Sequence, residues 1–500
     1  MNKLKIFSIL LVVIGIFACT DLTEEPIGIL APDGFFKTES DVEAAIFGAY
    51  GHMASERYWG RKLSLTIMLR SDMVDIGNQG TPSRRRDINS FSSDAFNGMV
   101  ASFWPRSYEI ISAANTAISG AESLEGIDGG RKNALIAEGR FIRAFVYYNL
   151  VRFFGDIPYI GEPVSDPEAT REIEKTSKAE VYQKIIADLE FAKANLPMTQ
   201  NTNARAKKAS AAAMLADVHL TLGNWNNAYT NAKWVIDNAA ASEVDIEPDY
   251  QNLFDASKHD DQKEHLWVID FLGLQGGPEG NGDDLIGALT GVHGSDMQGW
   301  CVAVPHINVY NSFDDRDYRK SVSFTTEATK DGVPYPYTEF NYAQRPHIAK
   351  YTRFAGVSQS NNRQSDHNYA VYRYADVLLM AAEAGNEVSG PNAELEGYVN
   401  QIRERARNAA GTMNAYPENV QSGLSKEEFR NMVLEERRIE LCFEFKRWWD
   451  ISRRDLGDEA FKGEDSLEPQ ANWNSNHYLL ALPQDELDRN PNLLPQNPGY

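Results

Sequence analysis

Cysteine and positive charge are both scarce in this chain. Only three of its 500 residues are cysteine, so disulfide bonds are not a general source of its stability. Its 49 lysines and arginines are outnumbered by 71 aspartates and glutamates, which gives a formal net charge of −22 at pH 7. Binding to nucleic acid requires clustered basic residues, so we exclude that class of partner. The same charge disfavours a body that lies flat on anionic lipid.

Catalytic motifs are missing as well. The chain has no His-Glu-x-x-His metal motif, no Gly-x-Ser-x-Gly elbow and no phosphate-binding Gly-x-x-x-x-Gly-Lys, and its nine histidines are scattered. Asp314, Asp315 and Asp317 could suggest glycoside hydrolysis, but the neighbouring Arg316 and Arg319 favour a salt-bridged turn or helix start. We therefore predict a protein that is not an enzyme and has no metal or cofactor. A calcium ion at Asp283 and Asp284 remains an alternative, although their spacing is not that of an EF-hand.

Long hydrophobic runs are limited to the amino terminus. Residues 6–17 follow Lys3 and Lys5 and are apolar apart from Ser8 and Gly15. This run is too short to span a membrane, which takes about 20 apolar residues. A basic start, a short apolar core and a small residue at the cut predict an export signal over residues 1–18.

Cys19 stands at the predicted cut. The residues before it, Ile16-Phe17-Ala18, resemble a bacterial lipobox, in which the cysteine is acylated and becomes the first residue. Several acyl chains would anchor the protein in a membrane without spanning it, with residues 19–30 as a flexible tether. The alternative is a plain signal peptide with a chance cysteine. If Cys19 is acylated, only Cys301 and Cys442 remain. They could pair in an exported protein, but an apolar helical run around Cys442 favours a buried free thiol.

Helical periodicity predicts a mainly α fold. Residues 209–222 and 225–238 have the spacing of a tetratricopeptide helix pair, with small residues where the helices cross. A second such pair covers 369–386 and 393–409. The remaining predicted helices cover residues 101–120, 132–154, 178–195 and 426–453.

Two long segments have a different character. Residues 55–100 and 271–368 are rich in Gly, Asn, Asp, Ser, Pro and aromatics, with only short strand-like runs. Long irregular segments in a compact protein are usually functional. No linker or charge block divides the chain, so we predict one domain over residues 19–500, a helical-repeat scaffold with long irregular ligand-facing loops.

Five blocks, in order along the chain, resemble the SusD/RagB family of outer-membrane lipoproteins. They are RFIRAFVYY with FGDIP at 140–158, a Val-Pro and Asp-Tyr-Arg pattern at 304–319, YADVLLMAAEA at 374–384 continued at 400–406, EERRIELCFEFKRWWD at 435–450, and LPQDEL with the closing Asn-Pro-Gly-Tyr at 482–500. The resemblance covers the chain from the lipobox to its last residue.

The resemblance implies both a fold and a role. It implies tetratricopeptide-like helix pairs packed against a ligand-facing half, with the matched blocks as scaffold. It also implies capture of a glycan or oligosaccharide at the cell exterior and its delivery to a SusC-like TonB-dependent outer-membrane transporter, which the protein covers as a lid. Asp21, Glu24 and Glu25 resemble the surface-export signal of such lipoproteins. The alternatives are an oligopeptide-binding lid of the RagB type and a docking subunit with little ligand contact of its own.

Sugar binding needs flat aromatic faces and planar polar groups that are exposed, so the loops supply the candidates. They are Arg57, Tyr58, Trp59, Asn78, Gln79, Arg84, Trp300, Tyr335 and Tyr337. Trp59 could instead pack in the core, Trp300 could begin a buried strand, and the two tyrosines could fasten a loop. Arginines 84–86 could be a solvated turn, or could meet an anionic sugar or a partner. The sequence does not identify the ligand.

Overall fold

The computed structural model describes residues 36–275, 282–354, 356–359 and 363–500. The predicted signal peptide, Cys19 and the tether lie outside these residues. The helices are α1 Glu39–Met53, α2 Lys62–Leu69, α3 Ser83–Asn89, α4 Val100–Ser123, α5 Gly129–Phe154, α6 Lys178–Asn195, α7 Lys208–Thr221, α8 Trp225–Asp237, α9 Ile286–Thr290, α10 Ile307–Asn311, α11 Tyr318–Ser323, α12 Tyr374–Ser389, α13 Ala393–Arg407, α14 Lys426–Glu440, α15 Arg447–Arg453, α16 Gly457–Lys462 and α17 Gln484–Arg489.

The strands are short and form two-stranded antiparallel pairs. They are β1 Val74–Ile76, β2 His265–Ile269, β3 Ala303–Pro305, β4 Phe324–Thr325, β5 Glu327–Lys330, β6 Val333–Pro336, β7 His347–Ile348, β8 Tyr369–Arg373, β9 Asn408–Ala409 and β10 Thr412–Met413. The pairs are β1 with β3, β2 with β8, β4 with β7, β5 with β6, and β9 with β10. The chain is therefore mainly α, as predicted.

The long helices form a continuous stack. Helices α4 to α8 each pack against the next one along the chain, α12 packs on α8, and α13 and α14 both pack on α12. Residues 209–216 of helix α7 are buried and mostly alanine. Their small side chains allow the neighbouring helices to pack closely around α7. Gly223 begins the turn from α7 to α8 with a φ of 68°, a conformation that other residues rarely adopt. The stack confirms the predicted helical-repeat scaffold.

Two predicted helices are wrong in part. Residues 369–373 form strand β8, whose aromatic and β-branched side chains suit its pairing with β2. The predicted helix over 426–453 is broken after Glu440, and Phe443 and Phe445 take φ values of 64° and 62°. The break is stable because side chains satisfy the freed carbonyls: Tyr250 and Arg373 donate to Glu440 O, and Tyr351 donates to Phe443 O.

A buried group of charges joins the helical stack to the irregular half. Arg373, at the end of β8, contacts Glu264 at 2.7 Å, Glu440 at 2.6 Å and Glu444 at 2.8 Å. The group continues through further buried ion pairs, Arg405 with Glu264 and Glu440, Arg319 with Asp317, Glu436 and Glu440, and Lys350 with Glu444. Burial raises the pKa of Glu440, but Arg405, Arg373 and Arg319 outweigh it and hold that pKa well below its ordinary value.

A second group of ion pairs fastens α12 to α14 and α15. Asp376 contacts Arg437 and Lys446, both at 2.8 Å, and Glu383 contacts Arg453 at 2.5 Å. All of these residues except Arg453 fall in the blocks at 374–384 and 435–450 that carry the resemblance. Their side chains face each other in the interior, so the blocks act as scaffold.

Both remaining cysteines, Cys301 and Cys442, are buried free thiols. Within the described ranges, no helix combines the length and the apolar character of a membrane span.

We expect Glu440→Gln to lower the free energy of unfolding by about 3–5 kcal/mol, because it leaves buried arginines without their counter-charge. The measurement is urea denaturation followed by circular dichroism. Glu427→Gln is the matched control: Glu427 lies in the first turn of the same helix and is exposed, and its loss should cost less than about 1 kcal/mol. Equal losses for the two variants would contradict the role given to the buried charges.

Candidate ligand-binding surface

A turn at residues 77–80 lies beside the strand that follows Trp300. Strand β1 pairs with β3, and the pairing continues through hydrogen bonds from Gly77 N to Val302 O (3.1 Å) and from Asn78 N to Cys301 O (2.6 Å). Gly77 has no space for a side chain, since a Cβ there would lie 2.6 Å from the Cys301 sulfur. The turn and residues 300–302 are therefore held edge to edge.

Trp300 is half-buried. One side of the residue packs against the main core, and its backbone N–H donates to Ala288 O at 2.7 Å. The Arg363 guanidinium carbon lies 5.8 Å from the centre of the indole ring. Strand β3 begins only at Ala303, so Trp300 precedes the buried strand and is not part of it.

Planar polar groups surround the turn. Asn78 is half-buried, and its Oδ1 accepts from Gly80 N at 2.9 Å. Gln79 is exposed, its Nε2 donates to Ile76 O at 3.0 Å, and its carbonyl accepts from the exposed Arg86. Arg84 is half-buried one turn further on, in α3. Asn78, Gln79 and Arg84, all named from the sequence, thus occupy one surface segment next to Trp300.

The loop from Gly291 to Gly299 is closed at its neck. A Cβ on Gly299 would overlap the backbone of Gly291, and Cys301 N donates to Gly291 O at 3.0 Å. Only glycine allows two chain segments to approach so closely. The loop therefore leaves and returns at one point, immediately before Trp300.

Asp296, inside this loop, fastens the hairpin of β5 and β6. Its N–H donates to Thr329 O at 2.8 Å, and its carboxylate accepts from Asp331 N (2.7 Å) and Gly332 N (3.1 Å). Hydrogen bonds from Thr329 and from the Gly332 and Asp331 backbone hold the pKa of Asp296 below its ordinary value. The hairpin is therefore attached to the loop that leads to Trp300.

The two predicted tyrosines lie on and just after this hairpin. Both are half-buried: Tyr335 packs edge-on against Phe340, with ring centres 5.5 Å apart, and Tyr337 lies 6.3 Å from Tyr310. They fasten the loop, although part of each side chain faces solvent. The more exposed aromatic is Tyr342, which is 62% exposed and lies edge-on to His293 at 4.7 Å.

Tyr58 and Trp59 are not on this surface. Tyr58 is fully buried and Trp59 is 4% exposed, with its ring 5.6 Å from Phe145 and 5.7 Å from Phe445. Their prediction as exposed binding residues is wrong, because the segment before α2 turns inward and fills the core. Arg57 forms an ion pair with Glu109 of α4 at 3.0 Å, and no described contact joins it to Trp300 or to the turn at residues 77–80.

Sequence reasoning missed Tyr342 and Arg363. Tyr342 lies in an irregular segment and has a φ of 68°. Its residue type was therefore the only signal in the sequence that it could be an exposed binding residue. Arg363 is more than 60 residues from Trp300 in the sequence, and only the fold brings the two side chains together.

The aspartates considered as catalytic or calcium-binding alternatives have structural contacts. Asp314 pairs with Arg316 at 2.7 Å and Asp317 with Arg319 at 2.8 Å, as expected of a salt-bridged turn. Asp284 is 1% exposed and accepts from Ser365 and Tyr369; burial raises its pKa to about 6. Among the residues described here, no three His, Cys, Asp or Glu side chains form a group that could hold a metal ion.

The fold and this surface define a class of helical-repeat protein in which loops, and not helices, build the exposed aromatic and polar surface. Comparison with known proteins identifies the family. The SusD family matches residues 308–500, and a SusD-like family described as "starch-binding associating with outer membrane" matches residues 34–220. SusD-like protein P2 of Formosa agariphila is 50% identical, with both chains covered in full. The chain therefore belongs to the SusD family, which confirms the resemblance seen in the sequence.

Solved structures show the same fold. A SusD homolog from Bacteroides thetaiotaomicron is 23% identical and has a TM-score of 0.81, with 94% of this chain and 98% of that chain covered. Surface glycan-binding protein A from the same species, solved in complex with laminarihexaose, is 17% identical with a TM-score of 0.75; the match covers 92% of this chain and all of that one.

The positions of Trp59 and Trp300 predict losses of stability of different size when each is replaced by alanine. Trp59→Ala should lower the free energy of unfolding by about 3–5 kcal/mol, because it empties a fully enclosed site between two phenylalanines. Trp300→Ala removes a ring that is only partly covered and should cost less than about 2 kcal/mol. Urea denaturation of the two variants checks this. Similar losses would mean that Trp300 is a core residue as well.

Proposed function

We propose that this chain is a cell-surface lipoprotein that captures a glycan or oligosaccharide and delivers it to a SusC-like TonB-dependent transporter. The observation that carries the proposal is the half-buried Trp300: the residue after it, Cys301, pairs with Asn78 of the 77–80 turn, and the Arg363 guanidinium carbon lies 5.8 Å from its ring. Membership of the SusD family supports it, as does the related glycan-binding protein solved with laminarihexaose.

The chemistry of this surface suits a sugar. An indole ring offers a flat apolar face to the C–H groups of a pyranose, and amide and guanidinium groups match the spacing of its hydroxyls. The core packs against one side of the Trp300 ring and holds it in place before a ligand binds. Binding therefore does not have to pay the entropy cost of ordering this side chain. Tyr335, Tyr337 and Tyr342 extend the surface along the attached hairpin.

The surface is proposed to bind without catalysing a reaction. Glycoside hydrolysis requires two carboxyl groups that both reach the sugar. Asp284 is buried beneath Ser365 and Tyr369, and Asp283 is itself 8% exposed and accepts from Gln364 at 2.7 Å. Neither carboxyl group can therefore act on a ligand that lies on Trp300.

Capture of an oligopeptide is the second candidate. The burial of Tyr58 and Trp59 leaves fewer exposed aromatics than the sequence predicted, and the Arg363 guanidinium group lies beside Trp300. A charged rim with few aromatics is the pattern expected of a peptide site, so peptides belong in any binding test.

Anchoring and transport complete the proposal. Acylated Cys19 would hold the protein in the outer membrane, facing the cell exterior, and residues 19–30 would let the body move as a lid over the transporter. The outer-membrane description of the matching family supports this location.

We expect the purified protein to be retarded in gels that contain its polysaccharide, and Trp300→Ala to weaken that binding by about 5- to 150-fold, since stacking on a single aromatic side chain is worth about 1–3 kcal/mol. Trp225→Ala is the matched control, because Trp225 is also half-buried but lies at the start of α8 in the helical stack. No retardation by any glycan in a broad panel, with binding to peptides instead, would overturn the proposal.

Cys19→Ala should abolish display of the protein on intact cells, because the acyl chains would have no attachment point. Protease shaving or antibody labelling of cells measures this. The purified variant should bind glycans as before. Unchanged surface labelling would refute anchoring through Cys19.

A further inference from the structure

Five basic side chains lie near one another in a chain whose net charge is strongly negative, and one of them, Arg363, lies 5.8 Å from the centre of the Trp300 ring. They are Arg61 and Lys62 at the start of α2, Arg84 and Arg85 in α3, and Arg363. Burial, followed by the neighbouring Arg85, Arg84 and Arg363, lowers the pKa of Arg61 to about 10. Burial, Arg61, Arg84 and Arg85 lower the pKa of Lys62 to about 7. We name these five residues the basic cluster.

Backbone contacts hold the cluster next to the indole ring. Gly60, directly before Arg61, accepts from Leu285 N at 3.0 Å, and Ala288 of the same short segment accepts from Trp300 N at 2.7 Å. Gln364, directly after Arg363, donates its N–H to Asp284 O at 2.8 Å. The segment 284–288 therefore connects the start of α2, Trp300 and residue 363.

Three members of the basic cluster have no counter-charge among the described residues. Glu56 pairs with Arg61, and Asp283 is close enough to raise the pKa of Arg61. Among the residues that the structure describes, the Lys62 ammonium and the Arg84 and Arg85 guanidinium groups contact no carboxylate. Arg85 is only 6% exposed and donates to the neutral Thr81 hydroxyl at 2.9 Å.

Some buried arginines elsewhere in the molecule contact several carboxylates, unlike those of the basic cluster. Arg319 and Arg373 are at least as deeply buried, and each contacts three carboxylates. Basic groups taken out of water without a partner repel each other and destabilise the fold. Lys62, Arg84 and Arg85 are thus held close together without a described counter-charge, and an anion bound there would relieve their mutual repulsion.

We propose that the basic cluster binds the sulfate ester or carboxylate of an anionic glycan whose sugar ring stacks on Trp300. This inference deepens the proposed function and rests on it. Guanidinium groups bind such oxyanions through paired hydrogen bonds, and an ammonium adds a point charge. A glycan fits better than an acidic peptide, because the cluster adjoins an aromatic face and the amides of Asn78 and Gln79. Peptides often bind by adding a strand to an open sheet edge, whereas strands β1 and β3 beside the cluster already pair with each other.

Isothermal titration calorimetry with matched probes tests the inference. The probes are dextran sulfate and dextran of equal length, polygalacturonate and its carboxyl-reduced form, poly-L-glutamate, and inorganic sulfate. We expect at least one charged polysaccharide to bind at least tenfold more tightly than its neutral counterpart, with an affinity that falls as salt is raised. Inorganic sulfate and poly-L-glutamate should both bind more weakly than that polysaccharide.

Substitutions within the basic cluster test whether these residues cause the preference for a charged polysaccharide. Arg84→Gln, at a half-buried position, should weaken binding of the charged polysaccharide about tenfold and leave any binding of the neutral one unchanged. Lys62→Gln should do the same, and Arg84→Gln decides the matter if the more deeply buried Lys62 variant fails to fold. Arg171→Gln changes the net charge equally at a side chain that is 60% exposed, and it should have no effect.

The outcomes separate this inference from the proposed function. Equal binding of charged and neutral polysaccharides, or binding of neutral glycans alone, would overturn the anionic specificity and leave glycan capture standing. Tighter binding of poly-L-glutamate would assign the cluster to acidic peptides, and equal binding of inorganic sulfate would show that no sugar is recognised; either result overturns the inference. Binding of no glycan at all would overturn the proposed function itself.

Discussion

The contact of Arg373 with Glu264, Glu440 and Glu444 is the constraint on which the rest of the structure depends. These residues come from three separate stretches of the chain, and all are buried. A buried charge that loses its partner destabilises a fold by about 3–5 kcal/mol. The stretches must therefore meet in one arrangement. This requirement lets a half of the molecule with little regular structure take a single conformation against the helical stack.

The sequence allowed the helices to be predicted well and their interruptions poorly. Residues 178–195 were predicted as a helix and form α6, since an amphipathic pattern and a following proline mark it locally. The break after Glu440 could not be foreseen. It depends on Tyr250, Tyr351 and Arg373 donating to carbonyls that a helix would otherwise use, and those donors lie between about 70 and 190 residues away.

The same distinction applies to the candidate surface. Asn78, Gln79, Arg84 and Trp300 could be named because their residue types suit sugar binding and they lie in irregular segments. Trp59 has an equally suitable side chain and lies in the core instead. Residue type predicts what a side chain can bind, whereas exposure is decided by packing between distant segments. Arg363 was missed for that reason: its relation to Trp300 exists only in the folded chain.

The closed neck of the loop from Gly291 to Gly299 has a consequence for how such a protein can diversify. Because the chain enters and leaves this loop at one point, residues within it can be inserted, deleted or exchanged without moving the strand that follows Trp300. New side chains would be presented beside the same indole ring on an unchanged support. The two glycines thus form a junction at which natural selection, or a protein engineer, can alter specificity in small and separable steps.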